Sequence, residues 1–379
     1  MPRRLIASVL LGHYLSAFTA LGIPLYLPRM LDSLGAHPPT WTIGVLFVLP
    51  TLCTALAAPL WGRLADRRGC RLSLLRAHAG LFAGFLLAGF SPNLAVFALA
   101  LVIQGTFGGA MAASNAYLST QLKPADLSRA LNWTQYSARL ALISAPILLG
   151  VLVNGGLGLQ LYSGLAVLPL LAFLMILPLP ADAPRCRRTA APTVDEPLPH
   201  DLPRLLAVQF LFSFAMVVTF PYFMPYAHHL GIANQALIGI LYSLPHLVYL
   251  LAMPWVQRRH DNLLLPGLAL LAASSGLQFC AANGEVLLAL RMVSGAGMLM
   301  TFVGLHRCLS QRKRAGSAGR LFGWFDASAK WAGAAAGVSA GLVSQASGNA
   351  APFIVACVAG VTALVLARPL VSTSREICA

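Results

Sequence analysis

The sequence predicts an all-α integral membrane protein with twelve transmembrane helices, arranged as two six-helix bundles with both termini in the cytoplasm. Three observations predict it: the composition, a series of apolar runs of spanning length, and a one-sided distribution of positive charge. Of the 379 residues, 58% are hydrophobic and only 10% are charged, and the mean hydropathy is +0.74. A soluble domain carries about 25% charged residues. A spanning helix takes about 20 apolar residues, so a dozen spans with short loops nearly exhaust the chain.

The apolar runs lie at 5–29, 41–61, 72–90, 94–118, 130–153, 159–179, 204–226, 236–256, 263–282, 285–306, 321–344 and 350–371. Pro and Gly interrupt several of them, which bilayer helices tolerate because neighbours re-satisfy the freed backbone groups. The first run follows Arg3 and Arg4, as the core of a secretory leader would. It is too long for that role and no small-residue cleavage site follows it, so it reads as a permanent helix.

A formal charge of +15 would suit a nucleic-acid binder, but the placement of the charges argues against one. Lys and Arg collect in alternate loops: Arg3 and Arg4, Arg63 to Arg71, Lys123 and Arg129, Arg185 to Arg204, Arg258 and Arg259, Arg312 to Arg320, and Arg375. The opposite loops hold none, with Arg29 alone at a border. Cytoplasmic loops carry this bias, so the basicity reports topology and no nucleic-acid partner is expected. The seven cysteines, Cys53, Cys70, Cys186, Cys280, Cys308, Cys357 and Cys378, show no CxxC pairing. Neither a disulfide framework nor a metal site is indicated, and no cofactor is expected.

An internal repeat divides the chain. Pro24 and Pro28 correspond to Pro221 and Pro225 at an offset of 197, Gly35 to Gly231 at 196, and Gly44, Pro50, Pro59 and Asp66 to Gly239, Pro245, Pro254 and Asp261 at 195. The expected organisation is a first bundle over 1–179, a cytoplasmic linker over 180–203 and a second bundle over 204–379. The linker region is proline-rich, with Pro180, Pro184, Pro192, Pro197, Pro199 and Pro203, which favours an extended connector.

Between the second and third runs stands Gly62-Arg-Leu-Ala-Asp-Arg-Arg-Gly-Cys-Arg71. It resembles the loop between the second and third helices of the major facilitator superfamily, G-x-L-A-D-R-x-G-R-[RK], with Cys70 replacing a basic residue. The resemblance implies two parallel six-helix repeats that rock around a midplane site, as a monomer in the inner membrane of a bacterium. It also implies that Gly62, Arg63, Asp66, Arg67, Gly69 and Arg71 form a cytoplasmic gate. In that gate Gly62 and Gly69 would permit tight turns, Asp66 would accept at a helix N-terminus and pair with an arginine, and Asp66→Asn would weaken the latch. The family's fourth-helix pattern, R-x-x-Q-G-x-G, appears as Leu101-Val-Ile-Gln-Gly-Thr-Phe-Gly108, without its arginine. The equivalent stretch of the second half, Arg291-Met-Val-Ser-Gly-Ala-Gly297, keeps one, and Arg291 is a candidate to take over the role.

Charges inside a membrane are costly and are functional candidates by default. Asp326 and Lys330 lie one turn apart in the eleventh run, on a face continued by Gly333, Gly337 and Gly341, which should pack against neighbouring helices. They read either as a proton-linked switch or substrate contact, or as a structural ion pair. Arg139 follows Asn132 and Gln135 on the fifth run, as a counter-charge for an anionic substrate, a partner of Asp326, or a snorkelling residue. Ala145-Pro-Ile-Leu-Leu-Gly150, further along, weakly resembles the antiporter pattern G-x-x-x-G-P-x-x-G-G.

Gln104, Gly108, Met111 and Asn115 form a stripe on the fourth run, where Gln104 and Asn115 are candidate ligand contacts or interhelical bonds. Tyr222 and His246 are candidate cavity groups, together with Tyr14, Tyr226, Tyr242 and Tyr249, with an interfacial aromatic belt as the alternative for the tyrosines. The first run holds no acid, which leaves Asp326, His13 or His246 to couple protons.

No phosphate-cradling G-x-x-x-x-G-K and no H-E-x-x-H occurs, so neither ATP-driven pumping nor an enzyme is expected. The signature loop and Asn115-Ala-Tyr-Leu-Ser119 resemble bacterial multidrug and sugar efflux members of the superfamily. The stretch Gly319-Arg-Leu-Phe-Gly-Trp-Phe-Asp326 resembles exporters of carboxylate siderophores. The expected function is export of a small organic solute, a drug or a metabolite such as a siderophore, in exchange for protons. The alternatives are a nutrient importer and, from a different class, a non-transporting membrane sensor.

Overall fold

The structure, a computed structural model, describes residues 2–35, 38–182, 200–258, 262–312 and 318–377. Asp261 and most of the expected linker lie outside the described residues. Among the described residues all regular structure is helical. Every apolar run read from the sequence falls largely on helix, and among the described residues eight helices are long and apolar enough to cross a membrane. Shorter apolar helices cover Gln160–Ile176, Leu202–Val217 and Leu264–Phe279.

The chain divides into two compact units. The first contains α1 (Pro2–Gly22), a 3-10 turn at Ile23–Tyr26, α2 (Leu27–Ser33), α3 (Trp41–Arg68), α4 (Cys70–Gly89), α5 (Leu94–Phe107), α6 (Ala110–Gln121), α7 (Pro124–Asn154), α8 (Gln160–Leu165) and α9 (Val167–Ile176). Residues 39–45, at the start of α3, group instead with the second unit. Helix α1 packs on α6, α7 and α9, and α4 packs on α5, α6, α8 and α9. Tyr162 anchors this core, with Phe85 at 5.2 Å and Phe97 edge-on at 5.4 Å. Such ring pairs add about 0.5–1.5 kcal/mol beyond area burial.

The second unit contains α10 (Leu202–Val217), α11 (Phe223–His229), most of α12 (Gln235–Gln257), α13 (Leu264–Phe279), α14 (Gly284–Gln311), α15 (Ala318–Ser347) and α16 (Ala351–Ile377). Residues 234–243, at the start of α12, group with the first unit. Helix α13 packs on α14 and α16, and α10 packs on α15 and α16. Tyr226 lies tilted against Phe353 at 4.6 Å and donates its hydroxyl to Gln278 O.

Local geometry recurs between the halves. Asn93 and Asn283 cap α5 and α14 in the same way, accepting from Val96 N at 3.0 Å and from Val286 N at 2.9 Å. Gly35 and Gly231 both turn the chain with positive φ. Gly105 lies against Pro50 and Gly295 against Pro245, so that a Cβ on either glycine would meet the proline backbone within 2.8 Å. The proline inside α7 is served from a neighbouring helix. Pro146 cannot donate to Leu142 O, and Ser243 Oγ donates there instead at 3.2 Å. Each unit exposes large apolar side chains, Leu56 and Phe90 in the first and Leu251 and Leu342 in the second, a surface that suits lipid.

Candidate functional site

The signature loop folds around a carboxylate from outside the motif. Helix α3 runs through to Arg68, so Gly62 sits inside a helix rather than in a turn, exposed and with nothing near its Cβ position. Asp66 lies exposed in the last turn of α3, the wrong end for a helix N-terminal acceptor. Asp182 occupies that place. Its Oδ2 accepts from Arg71 N at 2.8 Å, and its Oδ1 accepts from Thr120 Oγ1 at 2.7 Å and Gln121 Nε2 at 3.2 Å. Gly69 turns with φ +98°, and a Cβ there would sit 2.9 Å from Asp182 Oδ2. Glycine is thus required for conformation and for space. Arg71 also donates to Leu177 O, while Arg63 and Arg67 are exposed.

The fourth run is broken, which the predicted stripe of Gln104, Gly108, Met111 and Asn115 did not foresee. Helix α5 stops at Phe107 and Gly109 turns left-handed at φ +84° before α6. The last carbonyls of a helix lack intrahelical partners, and here side chains from α3 and α4 supply them. Thr54 Oγ1 donates to Gly105 O at 2.9 Å and Trp61 Nε1 to Thr106 O at 2.6 Å. Arg76 Nη1 donates to Phe107 O at 2.8 Å and Gly108 O at 3.2 Å, its guanidinium 4.1 Å from the Trp61 ring centroid. Gln104 is buried and donates to Gly84 O at 3.4 Å, an interhelical bond rather than a ligand contact. Asn115 keeps a buried Oδ1 with no hydrogen-bond partner.

In the second unit α14 is unbroken and carries Arg291, only 5% exposed, with its guanidinium 4.7 Å from the Phe223 ring centroid. Arg291 and His246 line a small, partly open pocket of about 30 Å³ among α10, α12, α13, α14 and α16. Gln278 and Ser294 line it too, in a buried chain in which Gln278 Nε2 donates to Ser294 Oγ at 2.8 Å and Ser294 Oγ to Ser274 Oγ at 2.9 Å. His246 is buried edge-on to Phe220.

The other predicted residues are spread over both units. His13 is buried on α1 with Nδ1 3.1 Å from Ser137 Oγ, and Arg139 is half-buried on α7. Tyr222 is no open cavity group, because its hydroxyl donates to Thr40 O at 2.6 Å and accepts from Gly44 N at 3.1 Å. Asp326 and Lys330 pair at 2.7 Å, but their side chains are 66% and 58% exposed, so neither packs into its unit. Along that face Gly337 and Gly341 approach Gly44 closely, while Gly333 has open space.

Sequence reasoning missed Arg76, which could have been flagged as an arginine inside an apolar run. It also missed Asp182 and the ion pair of Asp201 with Arg312. Arg312 Nε donates to Asp201 Oδ2 at 2.7 Å and Nη1 to Cys308 O at 2.9 Å. Burial works against the Arg312 charge, and the carboxylate outweighs it, holding the guanidinium pKa above its usual value.

Two helical units with exposed apolar faces, and eight helices of spanning length among the described residues, define a polytopic membrane protein. The chain belongs to the Major Facilitator Superfamily, whose profile matches residues 9–263. Among curated proteins it is 24% identical over 314 residues to the staphyloferrin B transporter of Staphylococcus aureus, spanning 77% of this chain and 75% of that one. It is 32% identical over 133 residues to the multidrug resistance protein MdtG of Proteus mirabilis, about a third of either protein. Solved structures share the fold. They include a bacterial homologue of the iron transporter ferroportin in an inward-facing state (TM-score 0.73, 16% identity, 98% of this chain and 99% of that one). The POT family transporter PepTSo aligns with a TM-score of 0.75 at 12% identity over 98% of both chains.

Proposed function

We propose that this chain is a twelve-span secondary transporter of the bacterial inner membrane that exports a small organic solute in exchange for protons, as a monomer with both termini in the cytoplasm. The observation that carries this reading is the match to the staphyloferrin B transporter across three quarters of both chains, supported by the MdtG match. A carboxylate-bearing metabolite is the favoured solute. The loop from Gly62 to Arg71 serves as one cytoplasmic gate. Alternating access then proceeds by rocking of the two bundles, and His246 and Asp326 are the leading proton-coupling groups, with His13 behind them.

Proteoliposomes with an imposed pH gradient test it. Substrate should accumulate on the acidic side, and collapse of the gradient with an ionophore should abolish accumulation. Uptake that follows the proton flow, or ignores it, would overturn export by antiport.

A further inference from the structure

Two side chains flank the signature loop, Trp61 just before Gly62 and Arg76 one turn after Arg71, and they meet over the break in the fourth span. The Arg76 guanidinium lies 4.1 Å from the Trp61 ring centroid, and the Phe107 ring stands 5.5 Å from the same indole. In a continuous helix the carbonyls of residues 105–108 would bond to the amides of residues 109–112. The break sets them free, and each finds a side-chain donor. Thr54 donates to Gly105 O, Trp61 to Thr106 O, and Arg76 to both Phe107 O and Gly108 O.

The backbone is shaped for this approach. On α4 Gly80 stands one turn beyond Arg76, and a Cβ there would sit 2.2 Å from Phe107 Cβ. Gly109 holds φ +84°, while the nearest neighbour of a Cβ there, Thr54 Cγ2, would be 3.7 Å away. Its conformation rather than its size therefore demands glycine. The far end of α6 is held as well, since Thr120 and Gln121 donate to Asp182, which accepts from Arg71 N. The loop is thus fastened to the fourth span at both ends of α6.

We propose that Arg76 and Trp61 are positioning residues of the signature loop, and that the break at Gly108-Gly109 supplies the carbonyls that keep the loop folded. Straightening the span would return those carbonyls to backbone amides, take both carbonyl acceptors from the guanidinium, and release the loop. Arginine suits the task because a planar fork reaches two oxygens while lying over an indole. What the coupling means for gating rests on the transport reading above, while the coupling itself does not.

Cys70, inside the loop, and Cys308, in the second unit, are each 4% exposed, so they report opening of the loop and of the other unit separately. The test is alkylation of the purified full chain in detergent by N-ethylmaleimide, with the rate at each cysteine read by mass spectrometry. Arg76→Gln should speed Cys70 at least about ten-fold, as loss of a charge-assisted bond requires, and leave Cys308 unchanged. Arg76→Lys should recover part of that protection. Trp61→Phe keeps a ring beside the guanidinium and loses one neutral bond, so Cys70 should react about three-fold faster. Gly109→Ala lies outside the loop, yet by straining the left-handed turn it should speed Cys70 as Arg76→Gln does.

A native rate at Cys70 in Arg76→Gln, or a rise that Gly109→Ala does not share, would overturn the coupling. So would an equal rise at Cys308, which would mean that the whole fold had loosened. Alkylation needs neither substrate nor gradient, so its failure leaves proton-driven exchange standing, and failure of exchange leaves the alkylation result standing.

Discussion

Helices α5 and α14 stand at equivalent places in the two halves, begin in the same way and then part. Each starts from an asparagine cap, and each lays a glycine against a proline of the helix two runs earlier, Gly105 on Pro50 and Gly295 on Pro245. Beyond that glycine, α5 breaks at Gly108-Gly109 whereas α14 continues to Gln311. The first unit brings its inner cation from a neighbour: Arg76 on α4 reaches over Trp61 to the carbonyls that the break sets free. The second carries its cation on α14 itself, with Arg291 over Phe223. In one half the guanidinium is spent on backbone, and in the other it lines a small pocket. One packing scheme thus holds two inner guanidiniums, each over an aromatic ring, that differ in where the arginine is rooted.

The exchange of Leu101 and Arg291 tests that comparison most severely. Leu101 is 3% exposed and stands where the repeat places Arg291 in the second half. Leu101→Arg should destabilise by about 3 kcal/mol, because a second cation is forced inside a unit whose free carbonyls Arg76 already serves. Arg291→Leu should cost less than Leu101→Arg, since an apolar replacement takes the desolvation penalty of the buried charge away with it. Thermal unfolding in detergent reads both. If Arg291→Leu costs as much as Leu101→Arg, Arg291 is a strut and the contrast between the halves fails.

A second difference lies in the carboxylates. Asp182 accepts from a backbone amide and two neutral side chains, whereas Asp201 faces the guanidinium of Arg312. Asp201→Asn should cost about 1.5–3 kcal/mol, because Arg312 remains mostly buried without its counter-charge. Asp182→Asn keeps an acceptor for Arg71 N and loses the charge–dipole attraction, about 0.3–1 kcal/mol. Equal losses in unfolding measurements would make the two clasps equivalent and erase this difference.

What the sequence made legible followed from spacing. The repeat offsets found Gly35 with Gly231 and Pro50 with Pro245, and the same pairs share a positive φ or a glycine contact in the structure. Arg291 stood out as a charge in an apolar run. The rest depended on contacts that no local pattern carries. Asp182 and Arg71 are 111 positions apart, so the motif pointed to its own Asp66 as the helix-terminal acid. The break at Gly109 was hidden because glycine pairs also occur in continuous membrane helices, and what permits it is donors on α3 and α4. Arg76 escaped notice by lying inside the run 72–90, where an inventory of loop charges does not look.

The smallest expected effect on stability carries the sharpest functional question. Asp326 and Lys330 form an i, i+4 pair at 2.7 Å, yet both side chains are more than half exposed. Such pairs contribute below about 0.5 kcal/mol, so Asp326→Asn should leave the unfolding temperature essentially unchanged. A pair that adds so little to stability is a weak tether. Its place on α15, whose Gly337 and Gly341 allow a close approach to Gly44, suits a charge that is reached by solute or protons instead. Proton-driven exchange by Asp326→Asn should therefore slow at least about ten-fold, or 1.4 kcal/mol, while unfolding stays put. Exchange at the native rate would return the pair to the surface and leave His246, in the Arg291 pocket, as the leading coupling group of the second half.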